Sequence, residues 1–517
     1  MNEYSSMKSS HAEQLLAAFA PFFPNADTVG SYVAGELVKG DGERIALVNP
    51  ATGDLFLEYA DAGAGVVAHA AEAAVNGQRE WAALSHAARG RVMFEIARAI
   101  RAHAEPLAQL ESLSAGKPIR DCRGEALKVA EMFEYYGGWA DKFHGEVIPV
   151  PSGHLNYTRR EPCGVVLVIT PWNAPVFTCG WNVAPAISMG NAVLLKPSEL
   201  TPLTSLAVAS LAEKAGLPKG VITVLAGYGH TTGQAAIGAA PVKKVCFVGS
   251  PATGNRIATA AAQRGIPCVL ELGGKSAQIV FEDADLARAC VGAQTGIFPA
   301  AGQSCVAGSR LLVQRSIYDK FVAMVAKGAK QLRTGNPLSP DTEVGPIQNA
   351  KQYKHVLGMI KTGLEEGAEV AEGSDGSATG NGFFVPPTVL KNVTNDMSVA
   401  RTEIFGPVVV AIPFDTEEEA IAIANDSEFG LAGYVWTGNI ARGHRVAAKV
   451  KAGSFWINTN KVINVASPFG GYDASGYGRS SGIEALYEYT QVKSVWVETA
   501  ADPAVTFGYA PAPEEKR

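Results

Sequence analysis

Three residues stand out as groups that could do chemistry together. Cys305 lies in FPAAGQSCVAGSR, a run of small residues that lets a ligand approach the thiol. Glu271 lies near the end of an apolar segment, where a carboxylate is costly unless it is paired or used. Asn173 follows another apolar run and could donate a hydrogen bond to a developing oxyanion. These residue types suit a thiol nucleophile assisted by a carboxylate base.

Each candidate also has an ordinary structural interpretation. A free cysteine is most often an inert core residue, and an asparagine often sits in a turn. The segment from Gly249 to Gly254, GSPATG, is either a tight turn or a helix start that binds phosphate, and it lacks the GxGxxG spacing. Lys196 at a strand end is usually a solvated charge. Glu199, three residues later, could accept hydrogen bonds from ribose hydroxyls.

The composition indicates a globular protein with more than one domain. Its 517 residues exceed the roughly 250–300 at which one core stops growing. A net charge of −6 without a long basic run predicts no nucleic-acid and no membrane partner. Seven scattered cysteines without CxxC, and histidines without HxxxH or HExxH, favour neither a disulfide framework nor a metal site. We expect a cytoplasmic protein, because neither a secretory signal nor a long apolar run is visible.

The order of apolar segments predicts an α/β fold. Residues 63–83 and 88–113 are Ala-rich and predict two helices. Five β-branched segments then alternate with helical stretches, which predicts a doubly wound parallel sheet. These segments lie at residues 165–169, 192–195, 221–224, 244–248 and 269–272. Ligands bind beyond the carboxyl ends of such strands, where the candidate residues Asn173, Lys196, Gly249 and Glu271 fall.

A second α/β region is predicted from about residue 275 to 470. It contains a helix from about Tyr318 to Leu332 and strands near Val408 and Gly453–Ile457. The polar, Gly-rich stretch 366–382 predicts an exposed loop. Two further strand patterns, at 145–160 and 490–498, lie outside both regions and could pair with each other or with a second subunit.

Taken together, the motifs resemble those of the NAD(P)-dependent aldehyde dehydrogenase superfamily, over about residues 30 to 498. In chain order they are PWN with Asn173, KPSE with Lys196, GSxxxG from Gly249 to Gly254, ELGGKS with Glu271, GQxCxAxxR with Cys305, EIFGP from Glu403 to Pro407, PFGG from Pro468 to Gly471, and SGYGR from Ser475 to Arg479. The resemblance implies that family's fold: a Rossmann-type parallel cofactor domain, an α/β catalytic domain and a small β oligomerisation arm.

The resemblance also implies a domain division and an assembly. The segments are an N-terminal extension at 1–28, an NAD-binding domain at 29–144 and 161–273, a catalytic domain at 274–473, and an oligomerisation arm with the C-terminal tail at 145–160 and 474–517. The arm implies a homodimer or a homotetramer. The expected partner is otherwise a small-molecule aldehyde.

The resemblance assigns roles that the chemistry of the residues allows. Cys305 would attack the aldehyde carbon, and the oxyanion would be held by the Asn173 side chain and the Cys305 backbone N–H. Glu271 would activate the water that hydrolyses the resulting thioester. CoA-acylating relatives generally lack this glutamate, so Glu271 favours a free carboxylic acid as the product.

The resemblance further assigns residues to the cofactor. They are Thr170, Trp172, Lys196, Ser198, Glu199, Gly249, Ser250, Gly254, Leu272, Glu403 and Phe405. A carboxylate at Glu199 would repel a 2′-phosphate, so the expected cofactor is NAD, with NADP as the alternative. No metal is expected.

The positions that face the aldehyde tunnel in relatives predict a roomy, apolar tunnel for a bulky or aromatic aldehyde, because few are large aromatics. They are Ala174, Phe177, Thr178, Trp181, Pro299, Ile463 and Phe469. Ala174 replaces an aromatic of betaine-aldehyde enzymes, which argues against a quaternary-ammonium substrate. Asp473 and Ser480 replace the Lys and Glu of many relatives. In relatives that glutamate is linked to proton relay from the catalytic region, so Ser480 leaves open the route by which the proton leaves.

The leading prediction is NAD-dependent oxidation of an aldehyde to the carboxylic acid. A semialdehyde dehydrogenase is an alternative that would need a basic residue at the tunnel mouth, and the sequence alone does not place one. A catalytically silent, structural member of the fold is a second alternative, although it would be expected to lose Cys305, Glu271 or Asn173. A thiol hydrolase would need a histidine near Cys305 and would leave the cofactor-like motifs unexplained.

Overall fold

The computed structural model describes residues 12–24, 26, 28–151, 153–378, 380–501 and 507–508. An N-terminal helix, α1, covers residues 12–19. The helices that follow are α2 Gly63–Ala83, α3 His86–Ala102, α4 Ala104–Ala115, α5 Ile119–Trp139, α6 Pro175–Ser188, α7 Leu203–Lys214, α8 Gln234–Gly238, α9 Pro251–Ala262, α10 Leu286–Ile297, α11 Tyr318–Ala329, α12 Ala350–Glu365, α13 Ser398–Arg401, α14 Glu417–Asn425, α15 Ile440–Lys449 and α16 Glu484–Glu488.

The strands form two large sheets and three small ones, which confirms the predicted α/β class. They are β1 Ser31–Val33, β2 Glu36–Val38, β3 Arg44–Val48, β4 Leu55–Ala60, β5 Val147–Ile148, β6 His154–Pro162, β7 Val165–Ile169, β8 Ala192–Lys196, β9 Ile222–Val224, β10 Val242–Val248, β11 Cys268–Glu271, β12 Ala277–Val280, β13 Arg310–Gln314, β14 Glu369–Glu372, β15 Thr388–Lys391, β16 Val408–Phe414, β17 Phe429–Gly430, β18 Ala432–Trp436, β19 Ser454–Ile457, β20 Tyr472–Asp473, β21 Gly476–Tyr477 and β22 Thr490–Glu498.

The first sheet has five parallel strands at its centre, in the order β9-β8-β7-β10-β11. Its central strand β7 is buried along its whole length. Val166 and Val168 pack in one core with α6 and α7, whereas Val165 and Leu167 pack with α2 on the other face. Burial of both faces explains why the segment is apolar throughout rather than alternating with polar residues.

The register of this sheet brings the candidate residues to one edge. Ile169 pairs with Lys196, Phe247 pairs with Ile169, and Val248 pairs with Glu271, so the carboxyl ends of β7, β8, β10 and β11 lie level with one another. The turns that carry Asn173 and Gly249 therefore leave the sheet side by side. This arrangement confirms that the predicted strand ends meet.

The second sheet has the order β14-β15-β16-β13-β12-β18-β19 and is parallel except for β14. Its core is a separate hydrophobic cluster that includes Ile279, Leu312 and Val410. Cys305 lies in the connection between α10 and β13. The nucleophile candidate is thus carried by the second sheet, and Glu271 and Asn173 by the first.

Two sequence-based predictions were wrong in detail. The helix predicted over 88–113 is two helices, α3 and α4, which break at His103 (φ −112°, ψ 20°). Pro106 lies in the first turn of α4. A proline is tolerated in the first turn, but in the interior of one continuous helix it would remove a backbone hydrogen bond and clash with the preceding turn. The loop predicted over 366–382 contains β14, because Glu369 pairs with Lys391 at the sheet edge.

The strand patterns at 145–160 and 490–498 pair with each other in a three-stranded sheet of order β22-β6-β5, referred to below as the arm sheet. β22 and β6 pair from Thr490 with Pro162 to Glu498 with His154. The predicted domain boundaries stay a prediction, and parts of two segments, residues 1–11 and most of the tail after 501, lie outside the described residues. Within the described chain, each helix is too short or too polar to cross a membrane.

Candidate active site

A cavity of about 570 Å³ opens at the carboxyl ends of the first sheet. Its wall combines turns of the first sheet with the Cys305 connection and other loops of the second. Fifteen of the residues predicted as site residues line it. They are Trp172, Asn173, Ala174, Phe177, Thr178, Trp181, Gly249, Ser250, Glu271, Leu272, Cys305, Glu403, Phe405, Ile463 and Phe469.

Six predicted residues lie outside this lining: Thr170, Lys196, Ser198, Glu199, Gly254 and Pro299. The first four lie at or just after the ends of β7 and β8, where the Thr170 N–H donates to the Lys196 carbonyl at 3.1 Å. Lys196 Nζ lies 3.6 Å from Glu199 Oε2, so the two side chains form one ion pair. Pro299 begins a short 3-10 turn, Pro299–Gly302, and the structure does not place it in the tunnel.

The turn before Cys305 holds the thiol in place. Ala300 and Ala301 adopt positive φ angles of 52° and 53°, which strains residues that carry a Cβ. The buried side chain of Gln303 secures this turn, because its Nε2 donates to the Ala300 carbonyl at 3.0 Å and its Oε1 accepts from Gln348 N–H at 2.9 Å. The sequence motif contains Gln303, but its role as a support was not predicted.

The environment of Cys305 keeps its thiol protonated. Burial raises the pKa of Cys305 to about 12, and the nearby carboxylates of Glu271 and Glu403 add to this effect. Lys461 opposes the rise because its positive charge favours the thiolate. At neutral pH the thiol therefore needs a base to become a nucleophile.

Glu271 meets the requirement for such a base. Burial raises the pKa of Glu271 to about 7, and the side chains of Ser480 and Trp181 offset part of the rise. Its Oε1 is buried and has no hydrogen-bond partner among the described residues. A carboxylate with a pKa near neutrality exchanges protons readily at working pH, as a general base must. Ser480, where many relatives have a glutamate, thus lies beside this carboxylate.

Asn173 and the Cys305 backbone present two hydrogen-bond donors. Asn173 Nδ2 donates one hydrogen bond to the Gln303 carbonyl at 2.8 Å, and a side-chain amide has a second N–H to give. The Cys305 N–H donates to no described residue. The two free N–H groups can serve as an oxyanion hole for a carbon attacked by Cys305.

A buried carboxylate supports the start of α6, next to Asn173. Glu111 is fully buried and accepts from the Val176 N–H at 3.3 Å and from the Thr204 hydroxyl at 2.9 Å. Lys117 Nζ lies 3.5 Å from it. Sequence reasoning missed this network, although a glutamate among the apolar residues of α4 was a signal.

The residues predicted for the nicotinamide end form one group. Glu403 Oε1 accepts from the Gly274 N–H at 2.9 Å, and burial raises the pKa of Glu403 to about 7. Phe405 has a positive φ of 54° and packs edge-on against Trp172, with ring centres 5.4 Å apart. Gln352 Nε2 holds this turn by donating to the Phe405 carbonyl at 3.1 Å.

The start of α9 suits an anion. Ser250 is the N-cap residue, but its hydroxyl bonds to Thr253 Oγ1 at 3.1 Å and does not cap the helix. The first-turn N–H groups of α9 are therefore open to phosphate oxygens. Gly249 is required because a Cβ there would lie 2.5 Å from the Phe247 ring. Together with the carboxylates Glu199 and Glu403, these features fit a dinucleotide.

Ten of the 25 residues that line the cavity were absent from the sequence-based prediction, and Lys461 is the one that brings a charge next to the thiol. Lys461 lines the cavity together with Cys305, and it follows β19 in a loop with no local motif of its own. Its position depends on how that loop folds back toward the first sheet. No local sequence signal could have placed this cation beside the thiol.

The family assignment rests on the length of the match. Residues 37–495 match the profile of the aldehyde dehydrogenase family. The chain belongs to this family. This match confirms the family that the sequence motifs identified. It also confirms the prediction that the protein is an aldehyde dehydrogenase.

Individual family members are similar over nearly their whole length. A betaine aldehyde dehydrogenase of Mesorhizobium japonicum is 42% identical over 482 residues, which cover 91% of this chain and 98% of that protein. The structure of PnpE from Pseudomonas sp. WBC-3 in complex with NAD is 44% identical with a TM-score of 0.90, covering 93% and 99% of the two chains. The NAD+ complex of aldehyde dehydrogenase from Bacillus cereus is 42% identical with a TM-score of 0.90, covering 94% and 98%.

Proposed function

We propose that this protein oxidises an aldehyde to the free carboxylic acid, with NAD as the hydride acceptor and Cys305 as the covalent nucleophile. The observation that carries the proposal is the shared cavity of Cys305, Glu271 and Asn173. These three groups supply a nucleophile, a base and an oxyanion donor, which are the parts that acyl chemistry on a thiol needs.

The first step uses all three groups. Glu271 accepts the thiol proton, and the Cys305 sulfur forms a bond to the aldehyde carbon. The carbonyl oxygen becomes an oxyanion that accepts hydrogen bonds from the Asn173 amide and the Cys305 N–H. Because both donors are fixed before the reaction, they stabilise this charge without reorganisation. The product of the step is a thiohemiacetal on Cys305.

The second half releases the acid. NAD, when bound, would supply the hydride acceptor, and loss of a hydride from the thiohemiacetal carbon leaves a thioester on Cys305. Glu271, once it has released the thiol proton to solvent, removes a proton from water, and the hydroxide attacks the thioester carbon on Cys305. The acid leaves as the Cys305 sulfur is released. The chain has Glu271, which CoA-acylating relatives generally lack. Its presence supports hydrolysis of the thioester over transfer of the acyl group to a second thiol.

The chain offers a partner for each part of the cofactor. Lys196 and Glu199 would hold the adenosine ribose, with Thr170 and Ser198 beside them at the strand ends. Ser250 and the start of α9, with Gly254 in its first turn, would hold the pyrophosphate. Glu403 would hold the nicotinamide ribose, with Phe405, Trp172 and Leu272 around it.

The test of the proposal is NADH formation from a panel of aldehydes, run in parallel with NAD and NADP. The panel spans short aliphatic, long aliphatic, aromatic, semialdehyde and quaternary-ammonium aldehydes. Strong turnover of at least one class with NAD is expected. Silence across the panel, with NAD still bound, would favour the alternative of a catalytically silent member of the fold.

The cofactor preference gives a specific prediction for Glu199. We expect Glu199→Gln to raise the NADP/NAD ratio of kcat/KM by roughly tenfold, because the variant removes a negative charge close to the 2′ position. Steady-state rates with both cofactors measure the ratio. Glu213→Gln, in α7, is the matched control and should leave the ratio unchanged; an equal loss with both cofactors in Glu199→Gln would contradict the assignment.

The lining of the cavity supports an aromatic or bulky aldehyde. Phe177 stacks on Trp181 at 5.0 Å between ring centres, and Phe469 packs edge-on against Trp181 at 5.9 Å. These rings leave an apolar surface against which a substrate ring can pack. Ala174 offers no aromatic face to a quaternary ammonium, so betaine aldehyde, which names one relative, is a poor candidate here. Rates that fall steadily from small to benzaldehyde-sized substrates would count against a bulky substrate.

The arm sheet supports a homodimer or homotetramer. Val147, Val492 and Trp496 are all more than half exposed on it, and β22 is an edge strand with unpaired backbone groups. We expect Trp496→Glu to produce smaller particles in sedimentation velocity, because a buried charge weakens an apolar interface. Val291→Glu, at an exposed position of α10, is the control and should keep the particle size of the wild type. Unchanged particle size for Trp496→Glu would contradict the role of the arm sheet in oligomerisation.

The cytoplasmic location stays a prediction.

A further inference from the structure

Lys461 is a charged cavity residue for which the proposed mechanism has no use. It lies in the loop after β19 and lines the same cavity as Cys305 and Glu271. Its side chain is partly buried. A lysine in a substrate cavity needs an explanation, because an ammonium group ordinarily keeps its contact with bulk water.

The backbone at Lys461 is held in an unfavourable conformation. Its φ is +47°, in the left-handed region that residues with a Cβ rarely adopt. The residues on both sides are anchored: Asn460 Nδ2 donates to Gln278 Oε1 at 3.1 Å and to the Gly292 carbonyl at 2.9 Å, and the Val462 carbonyl accepts from Trp456 Nε1 at 3.1 Å. A strained residue fixed from both sides is positioned by the fold rather than free to swing away.

Lys461 has no carboxylate partner within the described chain. The other cavity charges that the mechanism leaves unused have one: Glu125 pairs with Lys117, and Lys128 Nζ lies 3.9 Å from Glu131. No ion pair or hydrogen bond joins the Lys461 ammonium to a described residue. Lys461 is therefore the one cation of the cavity lining, among described residues, whose counter-charge is missing.

The electrostatic surroundings point the same way. Burial lowers the pKa of Lys461 to about 8, and only a negative charge on the Cys305 sulfur would act against this shift. At neutral pH most Lys461 side chains still carry their proton. A partly desolvated charge without a counter-ion is unfavourable, and a ligand carboxylate in the cavity would relieve that cost.

We propose that Lys461 binds a carboxylate of the substrate, so that the preferred aldehyde carries a second, anionic group. This inference rests on the proposed function and narrows its substrate class. It supplies the basic residue that the semialdehyde alternative requires and that the sequence alone did not place. The competing explanation is that Lys461 only favours the Cys305 thiolate.

Matched substrates separate these explanations. We compare 4-carboxybenzaldehyde with the neutral 4-formylbenzamide, and succinic semialdehyde with butanal. The wild type is expected to favour the anionic member of at least one pair in kcat/KM. Lys461→Met should reduce kcat/KM for that member by about 10- to 100-fold more than for the neutral member, mainly through KM. Lys461→Arg should retain most of the preference.

Two results would overturn the proposal. One is a wild type without preference for the anionic member of either pair. The other is an equal fall for anionic and neutral aldehydes in Lys461→Met, which would assign Lys461 to thiol activation. Lys451→Met, an exposed lysine before β19, is the matched control and should keep the preference.

Alkylation of Cys305 tests the same charge without turnover. Iodoacetate is anionic and iodoacetamide is neutral, and both react with the same thiolate, so the ratio of their rates is independent of the thiolate fraction. Lys461→Met should lower the iodoacetate/iodoacetamide ratio at Cys305 by roughly fivefold, measured by peptide mass spectrometry. An unchanged ratio would overturn the proposal. If all aldehydes were inert while the ratio still fell, the proposed function would fail and the anion site would stand.

Discussion

Cys305→Ala is expected to abolish NADH formation, with kcat lowered by at least about 10⁴-fold. Alanine retains the backbone N–H and the packing of the turn but has no sulfur to form the thiohemiacetal. Asn173 and Glu271 would remain in place and could not replace the missing covalent bond. Initial rates with a substrate that the wild type turns over measure the loss.

The matched control for this variant is Cys163→Ala. Cys163 is a free, partly exposed cysteine outside the cavity lining, so its replacement should leave kcat within about twofold. Cofactor binding should survive in Cys305→Ala, because Glu403, Phe405 and the start of α9 are unchanged, and quenching of Trp172 fluorescence reports it. Turnover of Cys305→Ala near the wild-type rate would refute the nucleophile assignment.

Glu271→Gln is expected to slow thioester hydrolysis by about 10²- to 10⁴-fold and hydride transfer by much less. Glutamine keeps the shape of the side chain but cannot accept a proton from water. Stopped-flow absorbance should therefore show a burst of NADH close to one equivalent per site, followed by a slow phase. Mass spectrometry should show the acyl group on Cys305. Absence of both burst and acyl-enzyme would place Glu271 earlier, in thiol activation.

The pH dependence of the wild type follows from the same group. Glu271 works as a base only when deprotonated, and its pKa is raised to about 7. The steady-state rate limited by hydrolysis should rise as pH increases toward 7 and level off above it. In Glu271→Gln this rise should be missing from the slow phase.

The contribution of Glu271 to the free energy of unfolding should fall as pH rises, whereas the rate should rise. The pKa of Glu271 in the folded protein, about 7, lies above its ordinary value of 4.5, so the folded state binds the proton more tightly than the unfolded chain. The stabilisation from protonated Glu271 is complete below pH 4.5 and is lost as pH rises through 7. Glu271→Gln should therefore raise the free energy of unfolding at pH 8 by about 3 kcal/mol relative to its effect at pH 4. Denaturant unfolding at both values measures the difference.

The local pattern of the sequence determined the elements of the first sheet and the chemistry at their ends. The β-branched run of β7 predicted a strand buried on both faces, because a strand with one face in water alternates. A strand-to-helix turn must follow such a strand, so Asn173 and Glu271 were placed at the ligand edge without knowledge of the strand order. The motifs taken together, in their order along the chain, then identified the family.

Local pattern was weaker where neighbouring structure competes with it. The Gly-rich stretch 366–382 favours a loop, yet pairing with β15 turns Glu369–Glu372 into a strand. The helix predicted over 88–113 is interrupted near Pro106, and Pro299 is not among the residues that line the cavity. The strand depends on backbone pairing with a segment that is distant in the sequence, whereas the helix break has a local cause in Pro106.

The tertiary structure alone decided which charges meet the thiol and which remain unpaired. Glu271, Cys305 and Lys461 belong to three separate segments, and only the packing of the two sheets brings them to one cavity. Burial there raises the pKa of the carboxyl and of the thiol. No carboxylate of the described residues pairs with the Lys461 ammonium. Residue type and spacing are local properties, whereas desolvation and charge pairing depend on distances across the fold. The sequence by itself therefore determined the reaction class, and the folded cavity determined the acid–base state of the groups and the charge offered to the substrate.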